Sequence, residues 1–581
     1  MVAVEQIDPV LADLGDRIRR ALAAAGLPDA EPGFERPKQA DHGDWASTVA
    51  LRLAKPAGRA PRDIAQAVLD ALELPPVVEA AEIAGPGFLN FQFAPSYYAD
   101  LVRQVIREGD DFARRVRPDS ERERINVEFV SANPTGPLHV GAGRWAATGD
   151  AIAELLAADG HQVEREYYVN DAGEQVRRFG ETVVLLVKGE PLTDVHYKGG
   201  YVRELAQELV ADHGDDLLVP GDEQLVAGGI EHGEGDLDDG EVVAGADDRV
   251  DPAVAAHVGA LAVAAMRAHI EQTLHQLGVD YDTWFSELHR LHLSGQLDAA
   301  VDELRSRGHT YEADGALFLR TEQHGDDKDR VLVRSDGRPT YFAADCAYLR
   351  DKWQRADRLL YLLGADHHGY VGRLKAAAAC LDIPAGRVEV RIGQLVNLMR
   401  DGEPVKMSKR SGDLITLREV VEEVGVDVIR YHFLRTSLDT MVDFDLSVVA
   451  EQSMENPVYY VQYAHARIAS LVRTADERGF DHGAIDDADL LLLTHPAELA
   501  LLKSMAALPE TVAEAAELRA TQRLARYAEE LAGTFHRFYT ECRVLVDEVE
   551  VGQARYWLAV AAKQTLKDAL SMLRVSAPER M

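Results

Sequence analysis

Cysteine is nearly absent from this chain: Cys346, Cys380 and Cys542 are the three thiols in 581 residues. None belongs to a C-x-x-C pair, which excludes a disulfide-stapled scaffold and a cysteine-rich zinc module and predicts reduced, mostly buried thiols. No uninterrupted apolar run approaches the roughly 20 residues that cross a bilayer. The N-terminus, MVAVEQIDPVLADLGDRIRRALAAAG, lacks a basic segment ahead of an apolar block and reads as an amphipathic helix. Together these absences predict a cytoplasmic protein with no membrane partner. Positive charge is also in short supply, with 62 Lys+Arg against 98 Asp+Glu for a net charge of −36. A field of that sign repels phosphate in dilute buffer, which argues against a polyanionic partner. At about 1 M salt the Debye length falls to about 3 Å, so local arginine contacts decide binding instead. The acid excess therefore predicts a halophile's protein, kept soluble in concentrated salt by hydrated carboxylates.

At roughly 150 residues per domain the length fits about four units, or one large core with appendages. Residues 1–108 combine helical periodicity with an extended close at AEIAGPGFLNFQF and read as a small α+β domain. Residues 109–445 open on the apolar run Ile125 to Val130, a buried-strand candidate, followed by the Pro/Gly-rich turn SANPTGPLHVGAG. A helix comes next, with Trp145, Ile152 and Leu155 at helical spacing and Gly160 as its stop, and then a second strand, HQVEREYYV. Strand, glycine turn, helix, strand describes a nucleotide-binding βαβ unit, so the fold class is α/β with a Rossmann-like core. From about 212 to 251 the chain carries fourteen acids and one arginine. Without the D-x-D-x-D-G spacing of a calcium loop, this reads as a solvated surface insertion. Residues 446–581 repeat helical periodicity, as in Val458, Val461, Ala464, Ile468 and Leu471, and read as an all-α bundle.

Two short words carry chemistry. His139-Val140-Gly141 follows the first strand and would put an imidazole and a bare backbone at a helix N-terminus, where free N–H groups favour phosphate. The H-x-G word is uninformative by itself, since chance supplies about 1.5 copies in such a chain; position singles out His139. Lys406-Met407-Ser408-Lys409 spends two of only 12 lysines, and composition predicts it on the order of once in ten thousand chains. Its ammonium groups, between Gly402 and Gly412, suit a loop that closes over a triphosphate and neutralises departing pyrophosphate. Asp366, His367 and His368 are adjacent ligand types that cannot converge on one ion without distant partners, so no metal site is assigned.

The order and spread of longer words identify a family. HGDWAS, GPGFLNF, VEFVSANPTGPLHVGAGR, YYVNDAGEQV, YKGGYV, GALFL, DDKDRVLVRSDGRPTYFAADCAYL, GADHHGY, KMSKRSG and the terminal APERM resemble class I aminoacyl-tRNA synthetases, and specifically arginyl-tRNA synthetases, over essentially the whole chain. The resemblance implies a Rossmann-type catalytic domain, an N-terminal tRNA-contacting domain and a helical anticodon-binding domain. It implies ligation of L-arginine to its tRNA through an arginyl-adenylate, with ATP as substrate, Mg²⁺ accompanying ATP, and a monomer. By position, His139, Lys406 and Lys409 match catalytic residues, and these three with Gly141 and Ala142 match the ATP site. Glu128, Tyr341 and Asp345 match guanidinium-holding residues, while Ser131 and Asn133 match positions near the substrate's α-amino and carboxylate groups. Asn90 and Phe93 match positions near a tRNA D-loop base. In the bundle, Tyr459, Tyr463, His465 and Arg467 lie at helical spacing and fit either an RNA-facing surface or core packing.

Two departures stand out. Ala142 occupies the place of the family's second signature histidine, with Arg144 a candidate replacement, and Arg410 ends the second signature in place of serine. Ala142 keeps alive a catalytically silent tRNA-binding relative; the shared nucleotide turn keeps alive a small-molecule nucleotidylyltransferase, which would not need the flanking domains. The charge reading makes a direct prediction. Thermal midpoint and activity rise with KCl toward molar concentrations, and a fully active, stable protein in dilute buffer refutes the halophile assignment.

Overall fold

A strand whose two faces are both buried belongs in the middle of a parallel sheet with helices on either side. Arg124–Phe129 is such a strand: Ile125, Val127 and Phe129 are buried toward one face and Asn126 and Glu128 toward the other. A computed structural model describes residues 7–37, 42–191, 195–220, 249–367, 369–405 and 415–581, and places this strand at the centre of a five-stranded sheet. The spatial order is Val388–Gly393, Arg358–Gly364, Arg124–Phe129, Gln162–Val169, Thr283–Ser286, and every pairing is parallel. The chain order reverses at the central strand. Ligands of such sheets bind at the carboxyl ends of the strands flanking that reversal, because the connecting helices leave on opposite faces and open a crevice. The helix after the central strand, Val140–Ala158, is apolar nearly all round and is correspondingly buried.

The described residues divide into two compact units. Residues 117–157 and 161–452 form one; residues 1–116, 158–160 and 453–581 form the other. The N-terminal four-stranded antiparallel sheet and the C-terminal helices fall in one of these units. Ion pairs link them. Asp44, 6% exposed, accepts from Tyr98 at 2.6 Å and lies 2.8 Å from Lys503 Nζ, and Lys567 meets Asp110 at 2.6 Å.

The sequence showed no membrane-length apolar run, yet the helix Pro252–Gln276 is long and apolar enough to cross a bilayer. His257, Arg267 and His269 interrupt it. It packs against Glu174–Val187 at a crossing where a Cβ on Gly180 would fall 1.9 Å from Ala255 O and one on Gly259 would fall 2.4 Å from Val176 O. Its apolar character serves that close approach.

Beneath the sheet's carboxyl edge lies a buried charge network. Parallel register sets Glu128 beside Glu166 and Asn126 beside Glu164. Facing carboxylates repel, and the helix Tyr341–Arg355 supplies the compensation from one face. Tyr341, Asp345, Tyr348, Lys352 and Arg355 follow the i, i+4, i+7, i+11, i+14 spacing that stacks side chains along a helix. Lys352, 0% exposed, puts Nζ 2.7 Å from Glu128 Oε2 and 3.9 Å from Glu166 Oε1. The Tyr348 hydroxyl lies 2.9 Å from Glu128 and 2.6 Å from Glu166, and Arg355 pairs with Glu166 and Glu164 at 2.6 Å. Removing one member of a buried pair strands the other charge, so Lys352→Met lowers stability by about 3–5 kcal/mol. Urea unfolding checks this, and the double variant Lys352→Met with Glu128→Gln recovers much of the loss because no unpaired charge remains.

Candidate functional site

At the carboxyl end of the central strand the backbone leaves the β region abruptly. Val130 and Ser131 have φ of 71° and 40°, unusual for non-glycine residues and doubly so for a β-branched one. Side chains hold the turn. Ser131 Oγ donates to Glu128 Oε1 at 3.0 Å and accepts from the Tyr168 N–H at 3.1 Å. Tyr167 donates its hydroxyl to Ala132 O at 2.8 Å, and Tyr281 donates to Phe129 O at 3.0 Å. Asn133 emerges exposed, 3.4 Å from the Asn170 amide.

The turn delivers His139, exposed, to the start of the Val140–Ala158 helix. A Cβ on Gly141 would lie 2.8 Å from His139 Cε1, so a side chain here would displace the imidazole. Ala142 is 9% exposed behind it. Lys406 and Lys409 lie outside the described residues, but both ends of their loop are placed. Val405 N–H donates to Leu398 O at 2.9 Å. On the far side Thr416 bridges to His139 and Leu417 N–H donates to Leu138 O at 2.8 Å. The chain beyond the second signature word is thus joined by backbone to the first.

The crevice wall that carries Asp345 is acidic. Glu128, 6% exposed, is committed to Lys352, Tyr348 and Ser131, so its carboxylate belongs to the network under the site. Asp345, one helical turn from Tyr341, has its acid pushed up from the ordinary range to about 7 by burial first; the Tyr370 hydrogen bond and the Arg373 charge oppose that rise, while the Glu287 and Glu128 charges add to it. Glu287 is itself 3% exposed and takes a hydrogen bond from Tyr168. Asp171, burial-raised as well, holds Ser286 and the Leu288 N–H. Tyr341 is half-buried at the first turn of the same helix. A buried acid beside Glu287 and Arg373 suits a cationic ligand with a paired donor fork.

Some expectations need correction. Arg144 does not replace the missing histidine: it is 0% exposed, donates to Gln394 O at 2.8 Å and Ser437 O at 2.7 Å, and burial lowers its pKa to about 10. A desolvated guanidinium satisfies its donors on the nearest carbonyls. His465 faces inward, 1% exposed, with Nδ1 2.9 Å from Pro578 O. Tyr459 and Tyr463 stack at 6.2 Å and Arg467 lies over Tyr463 at 5.1 Å, all half-buried. Asn90 and Phe93 are each 3% exposed; Phe93 packs edge-on against Tyr97, and the Asn90 amide nitrogen has no partner among the described residues. His367 is exposed on the turn after Arg358–Gly364, while the Asp366 side chain and His368 lie outside the described residues. Sequence reasoning missed Tyr168, Glu166, Glu287, Tyr348, Lys352 and Tyr370. The polar stripe along 341–355 was the available signal.

Comparison with known proteins agrees along the whole chain. Residues 12–93 match the arginyl tRNA synthetase N terminal domain, residues 108–194 and 266–431 match the catalytic domain of class I (R) tRNA synthetases, and residues 461–581 match the DALR anticodon binding domain. The unmatched span between the two catalytic pieces contains the acidic insertion. An arginine–tRNA ligase of Frankia alni is 46% identical over 100% of both chains. A Campylobacter jejuni structure provisionally described as an arginyl-tRNA synthetase is 32% identical, with a TM-score of 0.70 over 84% of this chain and 100% of that one. The Thermus thermophilus arginyl-tRNA synthetase shares the fold at a TM-score of 0.74 over 98% of this chain and 100% of its own, with 24% identity. With its crevice at the sheet reversal and all three family domains in order, this chain belongs to the arginyl-tRNA synthetase family.

Proposed function

We propose that this protein joins L-arginine to its cognate tRNA at the expense of ATP. The observation that carries the proposal is the acidic pocket around Asp345, set beside a nucleotide-type turn in the same crevice. An arginine carboxylate oxygen attacks the α-phosphorus of ATP, the bond to the β-phosphate oxygen breaks, and pyrophosphate leaves. A terminal ribose hydroxyl of the tRNA then attacks the arginyl carbonyl and AMP departs. ATP enters as its Mg²⁺ complex. No covalent nucleophile is needed, so positioning and charge stabilisation supply the rate.

In this reading His139, Lys406 and Lys409 hold the phosphates, Gly141 and Ala142 floor the nucleotide site, and Asp345 with Tyr341 takes the guanidinium. Glu128 acts one step back, holding Ser131, while Ser131 and Asn133 orient the α-amino and carboxylate end. The protein works in the cytoplasm, as a monomer, in concentrated salt.

Arginine-dependent exchange of pyrophosphate into ATP in concentrated KCl, with and without tRNA, tests the reading. Exchange occurs with arginine and not with lysine or glutamate, and Lys409→Ala lowers it about 10²- to 10³-fold while folding normally. A folded protein that binds tRNA and exchanges under no condition is the silent relative that Ala142 keeps in play. A second test uses pH. A guanidinium binds ionised Asp345, whose pKa near 7 means that a proton must leave below that pH. The KM for arginine therefore rises about tenfold from pH 8 to pH 6. Asp345→Asn raises KM and flattens that slope; an unchanged slope in the variant removes Asp345 from recognition.

A further inference from the structure

Outside the crevice, three metal-ligand side chains from three separate elements converge. His309 lies between the helix Gln296–Ser306 and the strand Thr310–Ala313; His324 ends the short 3₁₀ turn Glu322–His324; Cys380 is the last residue of the helix Tyr370–Cys380. One ligand atom from each lies within 4.8 Å of the others. We propose that His309, His324 and Cys380 form a zinc-class site, a two-histidine, one-thiolate set whose fourth position goes to water or to Asp329.

The donor set decides the class of ion. Two imidazoles and a thiolate are borderline-to-soft ligands that favour Zn²⁺ over the oxygen-seeking Mg²⁺ and Ca²⁺. Tetrahedral zinc at Zn–N of about 2.0 Å and Zn–S of about 2.3 Å holds its ligand atoms roughly 3.3–3.6 Å apart. Closure from within 4.8 Å needs about an ångström of movement, which ring rotation supplies. The backbones are already anchored: Arg320 N–H donates to His309 O at 2.9 Å, His324 N–H donates to Thr321 O at 3.0 Å, and Ile383 N–H donates to Ala378 O at 3.0 Å just beyond the cysteine. The imidazole rings stand 5.3 Å apart, edge to face, and Cys380 is 0% exposed.

Binding of a divalent ion forms the metal–sulfur bond and releases the Cys380 thiol proton to solvent. The other end of the Cys380 helix carries Tyr370, hydrogen-bonded to Asp345. An ion pinning that helix to the 309 and 324 turns would brace one wall of the arginine pocket.

The test uses the full-length protein. Metal analysis after purification without chelators, followed by Co²⁺ substitution, is expected to show about one ion per chain and a near-ultraviolet thiolate-to-cobalt band. Cys380→Ser abolishes the band and His309→Asn weakens Zn²⁺ binding at least tenfold, read by competition with a chromophoric chelator, whereas Cys346→Ser changes neither. Zn²⁺ raises the thermal midpoint of the chelator-treated parent and leaves that of His324→Asn unmoved, a readout that survives if the serine variant folds poorly. No bound metal together with no cobalt–thiolate band, or a band that follows Cys346, overturns the site.

Discussion

Glu128 and Glu166 stand side by side across two parallel strands, and the structure around the crevice depends on the cation between them. Unpaired in a dry interior, such acids would take up protons or push the strands apart. Lys352, wholly buried, lies 2.7 Å from one, and Arg355 closes the outer side of the other at 2.6 Å. Both cations sit on one face of a single rigid helix, so fixing them fixes everything else on that face. Asp345 is seven residues from Lys352, about 10 Å along the axis. The acid proposed to read the substrate is thus placed by the ion pairs that bind its helix to the sheet. Folding and recognition share a column of side chains, and damage to its base is transmitted to its tip.

In the proposed reading the crevice takes both a cationic amino acid and an anionic nucleotide, on a chain whose net charge is −36. It does so by separation. The acids Asp345 and Glu287 line the side served by the Tyr341–Arg355 helix. The proposed phosphate side begins at the Val140–Ala158 helix, where backbone N–H groups bring positive potential without a charged side chain and where Thr416 bridges to His139. Concentrated salt screens the remote acids far more than these contacts, which act at hydrogen-bond range.

Local pattern made some of this legible. The apolar run at 125–130, the glycine-rich turn and the helical period after it specify a βαβ unit, and the position of His139 follows from them. Long-range pairing was not legible. Asp44 with Lys503, and Asp110 with Lys567, join the two ends of the chain into one unit, and no periodicity encodes a partner hundreds of residues away. A polar stripe on a helix is ordinarily a solvated face, so nothing local marks Lys352; here the stripe includes a wholly buried lysine. Arg144 misled for the opposite reason. Beside a nucleotide signature an arginine looks like a phosphate ligand, but its neighbours seal it against two carbonyls. His309, His324 and Cys380 come from three elements whose convergence only the tertiary fold displays.

The positive φ values at Val130 and Ser131 complete the argument about rigidity. Backbone held in such conformations costs on the order of 1–3 kcal/mol per residue and persists where the surroundings over-determine it. Here Ser131 Oγ is clamped between Glu128 and the Tyr168 N–H, and two tyrosine hydroxyls hold the carbonyls on either side of the turn. The residue that anchors the turn, Glu128, is also the one that Lys352 neutralises. The strained exit from the central strand therefore hangs from the same ion pair as the helix carrying Asp345. The nucleotide turn and the amino-acid pocket keep their spacing because one buried lysine serves both.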